Sequence, residues 1–406
     1  MKVLYFHQHF STPAGAAGTR SYEMAQSLIA HGHSVTMVCG SYSGGVTGLS
    51  DPFSRGKRRG IVDGIDIVEY DLAYSNHDGL LKRSLTFMRF ALRCIGLALN
   101  ESYDVLFATS TPLTAAIPGI AARWLRHKPF VFEVRDLWPE LPRQMGVIKS
   151  RVLLGLLSIL EWTAYRSATR LIGLSPGIVA GIARRGIPEA RIALIPNGCD
   201  LGIFSVNVAA WRPPGVQAED LMAVFAGTHG VANGLEALLD VAAELKRRGR
   251  DDIKIVLIGQ GKTKRQLEQR VEREGLSNVV FHAPVSKERL AGLMASTDVG
   301  LQVLANFPAF YYGTSPNKFF DYIAAGLPVI NNYPGWLADM IQEVACGYAV
   351  PADAPALFAD ALIDSAENRD KLSLMGSNAA QLAYTRFDRR KLGAEFVSWL
   401  RQAVPT

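Results

Sequence analysis

Residues 2–32, KVLYFHQHFSTPAGAAGTRSYEMAQSLIAHG, decide the fold. KVLYFH is an apolar run of strand length, and the Gly-rich PAGAAGTR then turns the chain. SYEMAQSLIAHG spaces its apolar residues as a helix does and stops on a glycine. Strand, glycine turn and helix in that order open a βαβ unit, whose parallel strands are covered on both faces.

The pattern continues along the chain. SVTMVC, DIVEYD, DVLFATS, PFVFEVRD and ATRLIGLS read as strands, while the region near 80–100 and TPLTAAIPGIAARWL read as helices. It restarts at LMAVFAGTHG, with GLEALLDVAAELKRRG as helix and IKIVLIGQG as strand plus turn. KRQLEQRVEREG and KERLAGLMAST are further helices, and VVFHAP, VGLQVLA, PVINN and CGYAVP further strands. VNVAAWRPPGVQAED, polar and Pro-containing, predicts a linker between the halves. The expected class is α/β, with two doubly wound Rossmann-like domains over 1–205 and 206–385. An amphipathic helix in 386–406 is expected to pack back toward the first domain. Ligands of such sheets bind outside the carboxyl ends of the strands, so two sheets facing a cleft would bring two substrates together.

Composition narrows the function. A chain of 406 residues exceeds one ordinary core, and 49% apolar with 20% charged residues argues against disorder. Cys39, Cys94, Cys199 and Cys346 are scattered without a CxxC, which suits reduced thiols of a cytosolic protein rather than a disulfide framework. No His/Cys cluster has metal-ligand spacing, so no metal is expected. MKVLYFHQHF lacks a signal-peptide core, and no apolar run of roughly 18 or more residues is free of charges. The net charge of +6 points to anionic small substrates or an anionic membrane surface. Nucleic acid is the weakest partner, because basic blocks interleaved with aromatics and the common nucleic-acid-binding signatures are missing.

Several short motifs bear chemistry. Gly15, Ala16, Ala17 and Gly18 open the first helix, where backbone N–H groups approach an anion or simply make a tight turn, and Arg20 adds a cation. Gly227, Thr228 and His229, with Asn233, take the equivalent place in the second half, and Gly259 and Gly261 close the next strand. Two such turns on adjacent strand ends suit a nucleotide. In GTSPNKFFDYIAAGLP, residues 313–328, a helix starts after Ser315, Pro316 and Asn317 and ends at Gly-Leu-Pro. Lys318 then lies at a helix start that would hold a diphosphate, and Asp321 one turn later accepts two hydroxyls of a ribose. The plainer readings are a solvated lysine and an acid favoured in a first turn. FVFEVRDLWPE, residues 130–140, places Glu133, Arg135 and Asp136 at the end of a buried strand, as catalytic groups or as a structural ion-pair cluster.

Taken together, EVRDLWPE, PNGCD, FAGTHG and SPNKFFDYIAAGLPVI resemble the retaining GT-B glycosyltransferases of the GT4 type. Among them the resemblance is nearest to bacterial WbuB-like fucosamine or N-acetylhexosamine transferases of O-antigen and exopolysaccharide assembly. It covers nearly the whole chain, and SPNKxF(D/E)Y is its most specific part. It implies a UDP-sugar donor as co-substrate, no cofactor and no metal. By resemblance Gly15 to Gly18 lie against the donor diphosphate and sugar, and Asp321 binds the ribose. The family's first acid, eight residues earlier, is replaced by Gly313, and its Arg and Lys of the second domain's first loop by Thr228/His229 and Asn233. Lys318, Arg20 and Arg135 are the candidates for the missing charge. Asp136 or Glu133 would orient or deprotonate the attacking hydroxyl.

Residues 80–100 and 149–166 mix Lys and Arg with large apolar residues. Each reads as a core helix with a solvated edge or as a helix at a membrane interface. Two of them suit a peripheral protein at the inner face of the cell membrane, acting on a polyprenyl-diphosphate-linked acceptor. A UDP-N-acetylhexosamine epimerase and a non-catalytic nucleotide-sugar sensor are the alternatives.

Overall fold

The computed structural model describes residues 1–15, 18–75, 78–204 and 208–405, which form two compact units. One consists of Met1–Pro196, Gly313–Ser315 and Arg390–Thr406, and the other of Asn197–Tyr312 and Pro316–Arg389. The division in the chain thus falls at Pro196, before the segment in which the sequence places it.

In the first unit, β1 (Lys2–Phe6) and α1 (Arg20–Ala30) follow one another as the opening stretch predicts. Strands β2 (Ser34–Tyr42), β3 (Lys57–Val62) and β4 (Ile65–Tyr74) come next, then the long helix α2 (Leu80–Asn100) and β5 (Val105–Thr109). After α3 (Ile117–Arg126) and β6 (Phe130–Val134) come α4 (Glu140–Gln144), α5 (Arg151–Ser167), β7 (Arg170–Gly173), α6 (Pro176–Arg184) and β8 (Ile192–Leu194). The sheet order is β3-β4-β2-β1-β5-β6-β7-β8. Order reverses at β1, which pairs in parallel with both β2 and β5, so the crevice for a ligand lies beyond its carboxyl end.

One edge departs from an all-parallel reading. β3 runs antiparallel to β4, in register from Lys57 opposite Tyr70 to Val62 opposite Ile65. The hairpin closes on Asp63 and Gly64, both left-handed at φ 50° and 80°. Asp-Gly supplies that two-residue turn, whose twist matches the flanking strands.

The C-terminal helix, Arg389–Arg401, packs into this unit through Leu392, Phe396, Val397 and Leu400. Phe396 meets Phe107 of β5 edge-on at 5.0 Å, and Trp399 Nε1 donates to the Leu171 carbonyl of β7 at 3.1 Å. A Cβ at Gly393 would lie 2.3 Å from Ser27 Oγ of α1, so the approach needs a glycine.

The second unit begins with α7 (Leu201–Phe204), β9 (Leu221–Ala226), α8 (Glu236–Arg247), β10 (Ile253–Ile258) and α9 (Lys264–Glu274). Then come β11 (Val279–His282), α10 (Lys287–Met294), β12 (Val299–Gln302), α11 (Pro308–Gly313) and α12 (Asn317–Ala324). β13 (Val329–Asn331), α13 (Trp336–Val344), β14 (Gly347–Ala349), α14 (Pro355–Glu367) and α15 (Arg369–Arg386) complete it. All six strands are parallel, ordered β11-β10-β9-β12-β13-β14, with the reversal between β9 and β12. The described part of the expected linker is not free chain: Trp211 Nε1 donates to the Arg289 carbonyl at 2.7 Å, and the Trp211 N–H to Gly292 at 3.2 Å.

Phe396 is fully buried. Phe396→Ala is expected to destabilise the first unit by about 3–5 kcal/mol, read as a lower urea midpoint for its unfolding.

Candidate functional site

At the carboxyl end of β1, the chain passes through His7, Gln8 and His9 before reaching the Gly-rich loop. Gly15 is held from both sides: its N–H donates to the Thr12 carbonyl at 3.1 Å, and a Cβ would sit 2.2 Å from Ser11 Oγ. Gly18 is exposed, whereas Ala16 and Ala17 lie outside the described residues. The loop's first glycine therefore serves close packing, and its amide is already engaged.

Arg20 and Glu133, candidates for diphosphate binding and for catalysis, are bonded to each other. Arg20 Nε and Nη2 donate to Glu133 Oε2 at 3.0 and 2.7 Å, with the two side chains 3% and 0% exposed. Arg20 also donates to the carbonyls of Ile195 and Pro196, and Thr109 Oγ1 to Glu133 Oε1. Burial pushes the Glu133 carboxyl up, but Arg20 and these hydrogen bonds outweigh it and hold the group below the usual range. The pair ties the start of α1 to the end of β6 and to the segment after β8; the sequence reading offered Glu133 an ion-pair cluster with Arg135 and Asp136, whereas its partner is Arg20.

Arg135 and Asp136 remain half-buried at the same strand end. Arg135 Nη1 approaches His7 Nε2 at 3.4 Å. A guanidinium has no acceptor, so that nitrogen accepts and His7 carries its proton on Nδ1. Burial, Arg135 and His9 push the His7 pKa well below its ordinary value, and burial with Arg135 and Arg83 lowers His9 to about 4. Both rings are neutral near pH 7. Asp136 accepts from Thr111 Oγ1 at 3.1 Å; burial raises its pKa, against the pull of Arg135 and Thr111. Gln8 is buried, and its amide oxygen and nitrogen have no hydrogen-bond partner among the described residues. His7, Gln8 and His9 were passed over in the sequence because they sit inside a strand-like run; their position just past a switch-point strand was the available signal.

In the second unit, the glycine turns interlock. A Cβ on Gly259 would fall 1.9 Å from the Gly227 carbonyl oxygen, and one on Gly261 2.1 Å from that of His229. The amides of Gly227, His229 and Gly230 are bonded to Ile258, Gln260 and Thr228. The His229 ring is buried between Phe225 and Phe281, with both nitrogens unpartnered among the described residues, and burial with Lys264 lowers its pKa to about 4. Thr228 is exposed. These turns thus pack against each other, and the charge comes from elsewhere.

It comes from α12. Lys318 Nζ donates to Asn233 Oδ1 at 3.1 Å, lies 4.9 Å from the Phe225 ring centroid, and rests on Gly227, whose Cβ would be 3.3 Å from Lys318 Cε. Asn233 Nδ2 in turn donates to the Thr228 carbonyl at 2.7 Å. Burial lowers the Lys318 pKa to about 8. Ser315 and Pro316 are half-buried and Asn317 exposed ahead of it, and at Gly313 an added Cβ meets nothing within 4 Å. Asp321, one turn on, is half-buried; burial raises its pKa, partly offset by Lys287 and Arg389 and reinforced by Asp200. Lys287 and Arg389 both bond Asp200, at 3.3 and 3.1 Å. Tyr322 fixes the helix: its hydroxyl accepts from Ala226 N–H at 3.1 Å and donates to the Leu301 carbonyl at 3.3 Å. The sequence reading missed Asp200, Lys287 and Arg389 because they are distant in the chain, and Tyr322 because it looks like core.

If Glu133 is structural, Glu133→Gln should lower stability by about 3–5 kcal/mol in urea unfolding, since the buried Arg20 charge is left unpaired. A catalytic part alone would leave the unfolding midpoint in place.

Residues 15–198 match the family model described as a glycosyl transferase 4-like domain, and residues 221–368 that of glycosyl transferases group 1. The putative glycosyltransferase EpsF of Bacillus subtilis (strain 168) is 30% identical over 158 residues, 38% of this chain and 37% of EpsF. The O-antigen chain mannosyltransferase C of Escherichia coli is 28% identical over 145 residues, 35% of this chain and 37% of the enzyme. The matched stretch therefore spans little more than a third of either relative. Anabaena HepE in complex with UDP superposes with a TM-score of 0.70 at 18% identity, covering 99% of this chain and 100% of HepE. The fold is GT-B, two doubly wound Rossmann-like domains.

Proposed function

We propose that this chain, which carries a glycosyl transferase 4-like domain followed by a glycosyl transferases group 1 domain, is a retaining UDP-sugar-dependent glycosyltransferase. Its acceptor is a polyprenyl-diphosphate-linked sugar, and its product a step in surface polysaccharide assembly. Its donor sugar is an N-acetylated hexosamine or deoxyhexosamine, as the resemblance of SPNKFFDYIAAGLPVI to the WbuB-like transferases implies. The observation that carries the reading is Lys318, held by Asn233 against the first glycine turn at the switch point of the second sheet. A half-buried ammonium at a helix start suits a diphosphate anchor. HepE, of the same fold, is in complex with UDP, and EpsF and mannosyltransferase C carry glycosyltransferase names.

In the reaction, the acceptor hydroxyl oxygen bonds to the anomeric carbon on the face from which UDP departs. The bond from that carbon to the diphosphate oxygen breaks, and the hydroxyl proton passes to the leaving diphosphate or to Asp136. Lys318 stabilises the charge that develops on the diphosphate, and Asp321 holds the ribose hydroxyls. No covalent nucleophile and no metal is assigned.

The membrane part of the reading rests on two helices. α2 exposes Leu81, Leu85, Met88 and Leu92, and α5 exposes Val152, Leu156 and Ile159, each at helical spacing. Lys82, Arg89 and Arg93 are exposed on α2, which has no acidic residue. Apolar stripes edged by cations suit an anionic interface. No helix of the described residues is long and apolar enough to cross a membrane.

Incubation with UDP-sugars and a membrane extract is expected to release UDP; a sensor releases none, and an epimerase alters the sugar while the nucleotide stays attached. Lys318→Ala and Asp321→Ala should each lower donor kcat/KM by about tenfold or more, and an unchanged value removes that assignment. Because the Lys318 pKa is lowered to about 8, its cation is present at pH 7 and largely lost at pH 9. UDP affinity is therefore expected to fall by about tenfold over that range, and Lys318→Arg, charged throughout, should flatten the profile.

A further inference from the structure

A cavity of about 830 Å³ opens in the first unit between α4, the start of α5 and the end of α6, lined by Arg143, Lys149, Arg151 and Arg185 with Ser158 and Glu140. We infer that it holds the diphosphate of a polyprenyl-diphosphate lipid whose chain runs along the exposed apolar stripe of α5. This rests on the lipid-linked acceptor reading above and names the place where that acceptor's anion sits.

The charge balance carries the inference. Arg185 is neutralised by buried Glu161 and bonds Ser158 Oγ at 3.2 Å. Glu140 faces Arg184 at 3.9 Å. Arg143, Lys149 and Arg151 are exposed and have no side-chain partner among the described residues, which leaves three uncompensated cations around one cavity. Three converging cations exceed what one singly charged phospholipid headgroup needs and suit a diphosphate, which places several charge-bearing oxygens close together.

The helix supplies the second half. Arg151, Gly155 and Ser158 line the cavity, and Val152, Leu156 and Ile159, each one residue later, are 75%, 60% and 63% exposed. One residue is roughly 100° around a helix, so the anion pocket and the apolar stripe occupy neighbouring faces along the same length of α5. A phosphate head beside an apolar ridge is the chemistry of a lipid diphosphate, and inorganic diphosphate would use only the first of these two faces.

The test uses the full chain and Arg143→Ala/Lys149→Ala/Arg151→Ala with two vesicle preparations: phosphatidylcholine carrying undecaprenyl diphosphate, and phosphatidylcholine carrying phosphatidylglycerol at equal total charge. The wild-type chain is expected to bind the diphosphate vesicles about tenfold tighter or more, and the triple variant to lose that preference while its melting temperature and its thermal shift with UDP stay in place. The inference is overturned if the wild-type chain shows no preference, since the cations then serve only general attraction to an anionic surface. It is equally overturned if the triple variant keeps the preference. Should the triple variant fold poorly, Lys149→Glu alone, at an exposed position, must lower the preference or the inference falls. A chain that prefers the diphosphate vesicles but releases no UDP with any donor would sink the transferase reading and leave the pocket standing.

Discussion

The first unit's candidate site depends on one buried ion pair. Arg20 opens α1, Glu133 lies in β6, and the carbonyls of Ile195 and Pro196 complete the guanidinium's hydrogen bonding. Two full charges inside a protein are tolerated only when each is paired and hydrogen-bonded, and here Thr109 completes the carboxylate's bonding as well. The consequence is geometric. With Glu133 turned inward, the next two polar groups of the strand end, Arg135 and Asp136, are placed beside Thr111 and His7. A motif with three charged residues in four positions thus divides into one that builds and two that remain available.

The second unit is built without a fully buried ion pair among the described residues. Gly259 and Gly261 let the β10 turn come against the β9 turn, and the amides that would otherwise face an anion are consumed in doing so. Lys318 occupies the space beside Gly227, and Tyr322, through one hydroxyl shared by β9 and β12, fixes the helix that carries it. The cation is oriented by Asn233, where the resemblance placed a substitute for a missing basic residue.

Periodicity made most of the fold legible. Strand, glycine turn and helix recur in both halves, and the long helix over 80–100 is where its apolar spacing put it. β3 was not, because KRRGIV carries no buried face: its alternating exposed and half-buried residues mark an edge strand that only the Asp63-Gly64 turn announces. Local order was legible in SPNKFFD, whose Lys318 and Asp321 do lie one turn apart on α12. The site was opaque where partners come from distant strands, as with Glu133, whose role is set by a residue 113 positions earlier. Glycines misled in one direction: a sequence shows that a residue has no side chain, but not whether the space goes to a ligand or to another loop.

The same ambiguity governs the helices of the first unit. α2 buries Phe90, Ala91, Cys94 and Ala98 on one side and exposes Leu81, Leu85, Met88 and Leu92 on the other. A helix that meets only its own core and water has no use for the second stripe, since exposed leucines at helical spacing gain nothing from solvent. α5 repeats the arrangement, and Trp124 and Leu125 at the end of α3, which packs against both, are exposed at 66% and 68%. Outward apolar residues thus recur on three helices, of which α3 packs against both others. Pro139, three residues beyond Asp136, lines the cavity beside α5, so one short segment runs from the end of β6 to that cavity.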